Sequence, residues 1–312
     1  MSLLVVGGNG FVGRVVCRRA VQRGIKVIGL SRSGRPDLEE SWTDEVRWIR
    51  ADAGNPEEIR TVFEENTCSS VISTVGTMVD ATWPSGARQL YLDLKSSFQS
   101  RGGGGGGPGG AGLSGLVNLF AGKPASDVGQ GVNRTHQASE HSDTHENDRI
   151  DRSQDTYEHL NRDVHLVVAA EAAAREEVKS FVYFSAVPPN VLNSKIPLVQ
   201  RYFTTKMDTE VALSQYDEGT LRCTILRPTV MYDDEHLHTL APAALSKASA
   251  LLDSLVFARF GFRDVPHLLP TPPVFVDTVA DCAVESALNE DIGGILDVKE
   301  MIRVARSTSS AP

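Results

Sequence analysis

The chain is poor in cysteine: four in 312 residues, Cys17, Cys68, Cys223 and Cys282, stand far apart with no CxxC spacing. That excludes a disulfide framework and a cysteine metal site, and it predicts buried reduced thiols in a reducing compartment. No apolar run approaches the roughly 20 residues that a membrane span needs. Basic charge is also short. The formal net charge is −9, which argues against nucleic acid as a partner, since phosphate binding calls for a concentrated basic face. Metal-ligand spacing is missing too. Asp233-Asp234-Glu235-His236-Leu237-His238 reads as a solvated acidic turn, and His136, His141 and His145 lie where nothing holds them rigid. A first strand starting near residue 2 predicts no cleaved leader in this sequence, so any organelle address would be internal.

What is present is a hydrophobic content of 41%, enough for a real core, and one informative junction. The apolar run Leu3-Leu4-Val5-Val6 leads into Gly7-Gly8-Asn9-Gly10-Phe11-Val12-Gly13, and Val12, Val15, Val16 and Ala20 then recur at helical spacing. Glycines on a strand-to-helix turn of this kind bind a dinucleotide pyrophosphate. Gly7 can take unusual backbone angles, Gly10 lets the backbone approach the phosphates, and Gly13 lets the helix pack on the strand with its N–H groups facing the anion.

Further strands are predicted at 26–30, 46–49 and 70–76, with a helix over 56–66 between the last two. This βαβα rhythm implies a parallel sheet. The rhythm then breaks. Residues 96–156 contain six consecutive glycines, Gly102 to Gly107, and a polar stretch of Ser, His, Asp, Glu and Asn, a composition that predicts a low-complexity disordered insertion. Its apolar patch, Leu113 to Phe120, reads as a sticky segment with a peripheral membrane or partner contact as the alternative. A helix over 157–177, a strand over 181–185, a helix over 202–216 and a strand over 224–226 resume the alternation. A helix over 243–260, a strand over 273–276 and a helix over 279–289 capped by Asp277 follow. The expected fold is α/β: a doubly wound parallel sheet of Rossmann type. Residues 1–95 form the dinucleotide-binding half and 157–232 the second half. A small C-terminal lobe on the substrate side (233–300) and a tail (301–312) complete the division.

Taken in order, these segments resemble the short-chain dehydrogenase/reductase superfamily, in the extended or atypical branch with the NmrA-like and complex I accessory-subunit proteins. The residues that carry the likeness are Gly7 to Gly13, Asp52, Ser73-Thr74-Val75-Gly76, Asn161-Arg162-Asp163, Val182-Tyr183-Phe184-Ser185, Tyr202-Phe203-Thr204-Thr205-Lys206, Leu226-Arg227-Pro228 and Pro272 to Ala280. The likeness is nearest to the fungal mitochondrial member associated with ubiquinone biosynthesis. It implies a mitochondrial location, with cytoplasm as the alternative, and membership of a mitochondrial protein complex.

In that family, the glycine turn, Asp52 on the adenine side and Ser73 to Gly76 at a strand end line the cofactor. Tyr202 exchanges a proton with the substrate oxygen, and Lys206 lowers the tyrosine's pKa and holds the nicotinamide ribose. Ser185 and Asn161 match the positions of the catalytic hydroxyl and of the asparagine that orders a relay water, although the family's usual second serine is here Ala186. From the residues themselves, Leu30-Ser31-Arg32-Ser33 places an arginine and two hydroxyls where an NAD site commonly carries an acid. A guanidinium suits a 2′-phosphate. NADP(H) is therefore the expected cofactor ahead of NAD(H), with Arg35 as a second contact. Two readings stand: an NADP(H)-dependent oxidoreductase on a ketone, alcohol or quinone-related compound, or a nucleotide-binding scaffold without turnover.

Overall fold

The computed structural model describes residues 2–77, 156–187, 197–216, 219–233 and 273–309. The insertion expected at 96–156, save Thr156, and the helix expected over 243–260 lie outside the described residues.

Short apolar runs form the central strands because these are buried on both faces. Leu3, Leu4, Val5 and Val6 of β1 (Ser2–Val6) are essentially inaccessible, as are all residues of β5 (Ser180–Phe184). With β2 (Lys26–Ser31), β3 (Val46–Arg50), β4 (Ser70–Ser73), β6 (Arg222–Leu226) and β9 (Gly294–Leu296) they make a sheet of seven parallel strands in the order β3-β2-β1-β4-β5-β6-β9. Two short strands, β7 (Met231–Tyr232) and β8 (Val274–Phe275), pair separately. The chain starts in the middle of the sheet and winds outward to both sides, so strand order reverses between β1 and β4. Ligands of doubly wound sheets bind at that reversal, beyond the carboxyl ends of the strands.

Helices cover both faces. On one side α1 (Phe11–Gln22), α5 (Val276–Leu288) and α6 (Val298–Ser309) enclose Val16, Cys17, Ala20, Val279, Ala283 and Met301. On the other, α2 (Pro56–Glu65), α3 (Val164–Ala173) and α4 (Pro197–Leu213) enclose Ile59, Phe63, Val168, Ala172 and Leu213. An ion-pair ladder joins α1 to α5: Arg18 and Arg19 meet Asp277, Arg19 and Arg23 meet Asp281, and Arg23 meets Glu285, at 2.5–3.4 Å.

Three expectations change. The helix predicted over 157–177 opens with a π-helical turn at His159–Asp163 and ends at Ala173. Asp277 does not cap its helix: Phe275 occupies the N-cap, and the carboxylate faces the α1 arginines from inside the first turn. Residues 301–309, expected as tail, are helical, with Met301, Val304 and Ala305 packed into the core. The strongly one-sided apolar pattern of α6 carries that docking. All four cysteines are free, and burial raises every thiol above its usual range.

Candidate dinucleotide site

The glycine turn sits at the carboxyl end of β1. Gly7 has φ of +82°, and its N–H and that of Gly8 donate to the Leu30 carbonyl at 2.8 and 3.0 Å, locking the turn to β2. A Cβ on Gly7 would lie 2.8 Å from Thr74 Oγ1, and one on Gly13 would lie 2.1 Å from the Gly7 carbonyl oxygen. Neither position accepts a side chain, so the start of α1 presses directly on the strand end. Gly10 is the N-cap, α1 begins at Phe11 without a side-chain cap, and its first turn carries no acid. The positive end of the helix dipole therefore has no carboxylate of its own, which fits a bound pyrophosphate.

Strand β4 ends beside this turn. Thr74 donates to the Val6 carbonyl through its N–H at 2.8 Å and its hydroxyl at 2.9 Å. Ser73 was expected to line the cofactor, but its side chain is buried and pairs with His165 Nδ1 at 2.7 Å. Thr74, Val75 and Gly76 are what the strand end presents. A Cβ on Gly76 would stand 2.9 Å from Asn161 Oδ1 and 3.4 Å from Lys206 Nζ, so the strand end lies directly against Asn161 and the α4 lysine.

On the adenosine side, Asn9 Nδ2 donates to Ser33 Oγ at 2.8 Å, and Ser31 Oγ lies 3.5 Å from Ser33 Oγ. Ser31 and Asn9 thus flank one spot, with Arg32 between the two serines in sequence. Arg35 is drawn away: it binds Asp44 at 2.5 Å and Thr43 at 3.1 Å. Asp52 accepts from Gly54 N–H at 2.9 Å, shaping the turn into α2, and the His159 ring overhangs Gly54.

The chemical end is arranged differently from the resemblance. Lys206 is buried, donates from Nζ to the Phe184 carbonyl at 2.7 Å and stands 5.0 Å over the Tyr183 ring. Burial lowers its pKa to about 7, against the pull of the nearby Glu210 carboxylate. Tyr202 packs edge-on against Tyr157 at 5.7 Å and Phe203 at 5.0 Å. Burial pushes its phenol up to about 12, opposite to the lowering expected from a lysine neighbour. The hydroxyl of Ser185 donates to Glu210 Oε1, which the side-on edge of Arg227 also grips.

Asn161 is likewise engaged by neighbouring protein groups. Its amide clips the Thr77 backbone, accepting at 3.1 Å and donating at 3.0 Å. Its carbonyl, released from regular helix pairing by the π-turn, accepts from the Tyr183 and Thr209 hydroxyls at 3.0 and 2.9 Å. His165 lies beneath, edge-on to Tyr183 at 4.6 Å. Burial first and the Lys206 charge second hold its pKa well below the imidazole range.

Glu210, Arg227, His165 and Arg14 were missed from sequence. Glu210 had a signal, standing one helical turn beyond Lys206 as Tyr202 stands one before it, so all three share a face. Arg14 directly follows the third glycine. His165 had none, because its partner Ser73 is 92 residues away.

Residues 3–92, which hold the glycine turn, Asp52 and the β4 end, match the NAD dependent epimerase/dehydratase family. The chain is similar to that family over this segment. Over 97% of its length it is 24% identical to "MIOREX complex component 2" of Saccharomyces cerevisiae, covering 99% of that protein. A stretch of 50 residues is 52% identical to an uncharacterized chloroplastic protein of Arabidopsis thaliana, of which the chain covers 17%. Among solved structures, Bordetella bronchiseptica WbmF in complex with NAD+ superposes with a TM-score of 0.50 at 13% identity, covering 98% of this chain and 76% of that one. ElxO with NADP bound superposes at 0.51 and 12% identity, covering 95% and 96%. At these identities the likeness is one of fold, and it agrees with the strand order and the placement of the turn. Among the described residues no helix is long and apolar enough to cross a membrane, and no group of His, Cys, Asp and Glu is placed to hold a metal ion.

Proposed function

We propose that this chain is an NAD(P)-binding member of the short-chain dehydrogenase/reductase class that takes NADP(H) ahead of NAD(H) and acts mainly as a nucleotide-loaded scaffold. One observation carries the reading: the sterically closed turn at Gly7 and Gly13, opening an uncapped helix at the strand-order reversal. Gly7 to Gly13 would cradle the pyrophosphate, Ser31 and Arg32 the adenosine ribose, and Thr74 to Gly76 with Lys206 the nicotinamide ribose. A bound nicotinamide supplies hydride chemistry.

The proton side is not poised for it. A phenol at about 12 is a poor acid–base partner near neutrality, and the nearest serine is held by Glu210. The oxidoreductase reading keeps its own support in Tyr202 and Lys206, one helical turn apart on α4. The full-length likeness to a yeast complex component supports a place in an assembly. The resemblance carried by the motifs supports a mitochondrial setting linked to ubiquinone biosynthesis, with peripheral membrane contact through the insertion.

Fluorescence titration with NADPH and NADH, followed by exposure of the NADPH complex to quinones and aldehydes, tests this. The expected outcome is saturable NADPH binding with no oxidation above the rate in free solution. Failure of both nucleotides to bind would overturn the proposal. Rapid turnover abolished by Tyr202→Phe would replace the scaffold with the enzyme.

A further inference from the structure

We propose that Arg14 reads the 2′-phosphate of NADP(H) and is the main residue by which this site separates NADP(H) from NAD(H). This inference rests on the dinucleotide reading above. Arg14 follows the third glycine, in the first turn of α1, and its guanidinium is held by one edge. Nε donates to the Asn9 carbonyl at 3.0 Å and to Asn9 Oδ1 at 2.9 Å, and Nη2 donates to the same Oδ1 at 2.7 Å. Those bonds use the side-on edge of the fork. The end-on pair, Nη1 with the second N–H of Nη2, has no protein acceptor among the described residues. That pair matches two oxygens of one phosphate.

The same contacts tie Arg14 to the place where a 2′-phosphate must arrive. Because Asn9 Oδ1 faces the guanidinium, Asn9 Nδ2 faces the other way and donates to Ser33 Oγ at 2.8 Å, with Ser31 Oγ 3.5 Å beyond. Arg14, Asn9, Ser33 and Ser31 thus form one chain of polar groups from the glycine turn to the exit of β2, where this fold holds the adenosine ribose. Charge points the same way. No carboxylate of the described residues lies within ion-pair distance of Arg14. Glu40 acts on it only as the lesser influence, and partial burial, the larger one, lowers its pKa. A partly desolvated guanidinium without its own anion is built to receive one. Arg35, a further basic candidate in this region beside Arg32, already carries Asp44.

The alternative is that Arg14 merely braces Asn9 and so the shape of the turn. The two roles differ in selectivity, since a brace serves NADH as well as NADPH. The test measures dissociation constants of NADPH, NADH, 2′,5′-ADP and 5′-ADP on the full-length protein, in wild type, Arg14→Met, Arg14→Lys and Arg32→Met. Wild type is expected to prefer NADPH and 2′,5′-ADP. Arg14→Met should weaken those two by about 10- to 100-fold, the worth of a charge-assisted pair, while NADH and 5′-ADP stay within about threefold. Arg14→Lys, which keeps charge but not the fork, should fall between. It also keeps the test open if the methionine variant misfolds by circular dichroism.

Equal losses for both nucleotides would overturn the proposal in favour of bracing, and selective loss in Arg32→Met alone would move the role to the β2 exit. Wild type without preference would sink the role of Arg14 and leave dinucleotide binding standing. Wild type binding neither nucleotide would remove the parent reading as well.

Discussion

The two ends of the candidate site are built on opposite principles. At the glycine turn the protein removes side chains: Gly7 and Gly13 leave backbone N–H groups and a helix dipole facing outward, and the Arg14 fork keeps one edge without an acceptor among the described residues. At the β5–α4 end it does the reverse. Lys206 donates to the Phe184 carbonyl, Ser185 to Glu210 and Arg227 to Glu210, while Asn161 clips the Thr77 backbone. A ligand entering the first end completes interactions that the protein leaves open. A substrate entering the second must compete with interactions already made, and each buried polar group it strands costs about 1–3 kcal/mol. The contrast teaches that one end of a site can leave its polar groups open while the other turns them inward.

The sharpest way to break this contrast is at Gly13. A Cβ there would meet the Gly7 carbonyl at 2.1 Å, so Gly13→Ala should cost about 3 kcal/mol or more, because backbone rather than a flexible side chain must move. A melting-temperature drop together with loss of NADPH binding is the expected result; unchanged binding would mean that the turn does not form the cradle.

A second test sharpens the inward end through pH. Lys206 titrates at about 7 in the folded state against 10.5 in its ordinary environment. Between those values the unfolded chain holds the extra proton, so this group makes stability rise as pH climbs from about 7 towards 10 and contributes no slope below 7. Lys206→Met should flatten that rise, whose size is on the order of 5 kcal/mol at about 1.36 kcal/mol per pKa unit. Urea denaturation at a series of pH values measures it, and an identical slope in both proteins would place the amine in water.

The smallest effect is expected at Tyr202. Tyr202→Phe should keep NADPH affinity within about twofold and stability within about 0.5 kcal/mol, since the ring contacts to Tyr157 and Phe203 survive. A tenfold fall in affinity by titration would show the hydroxyl engaged with cofactor.

Much of the fold was legible in sequence. Strands β1 and β5 are nearly continuous apolar runs, and the glycine turn announces itself through three glycines at fixed offsets between a strand and a helix. Boundaries were less so: at the π-turn His159–Asp163 the Asn161 carbonyl accepts from the Tyr183 and Thr209 hydroxyls, which no local pattern reveals. Helix α6 passed for a tail because the strand before it is only three residues long, β9, and gives little periodicity to read.

From the linear chain alone came the phosphate end of the site, because conformational freedom of glycine, helix polarity and apolar runs are properties of neighbouring residues. Tertiary structure alone decided the partners of Ser185, Lys206, Arg14 and Ser73. Those choices depend on which side chains the sheet and its helices bring together and on how far burial strips water from them, so a hydroxyl or ammonium must take the acceptor at hand.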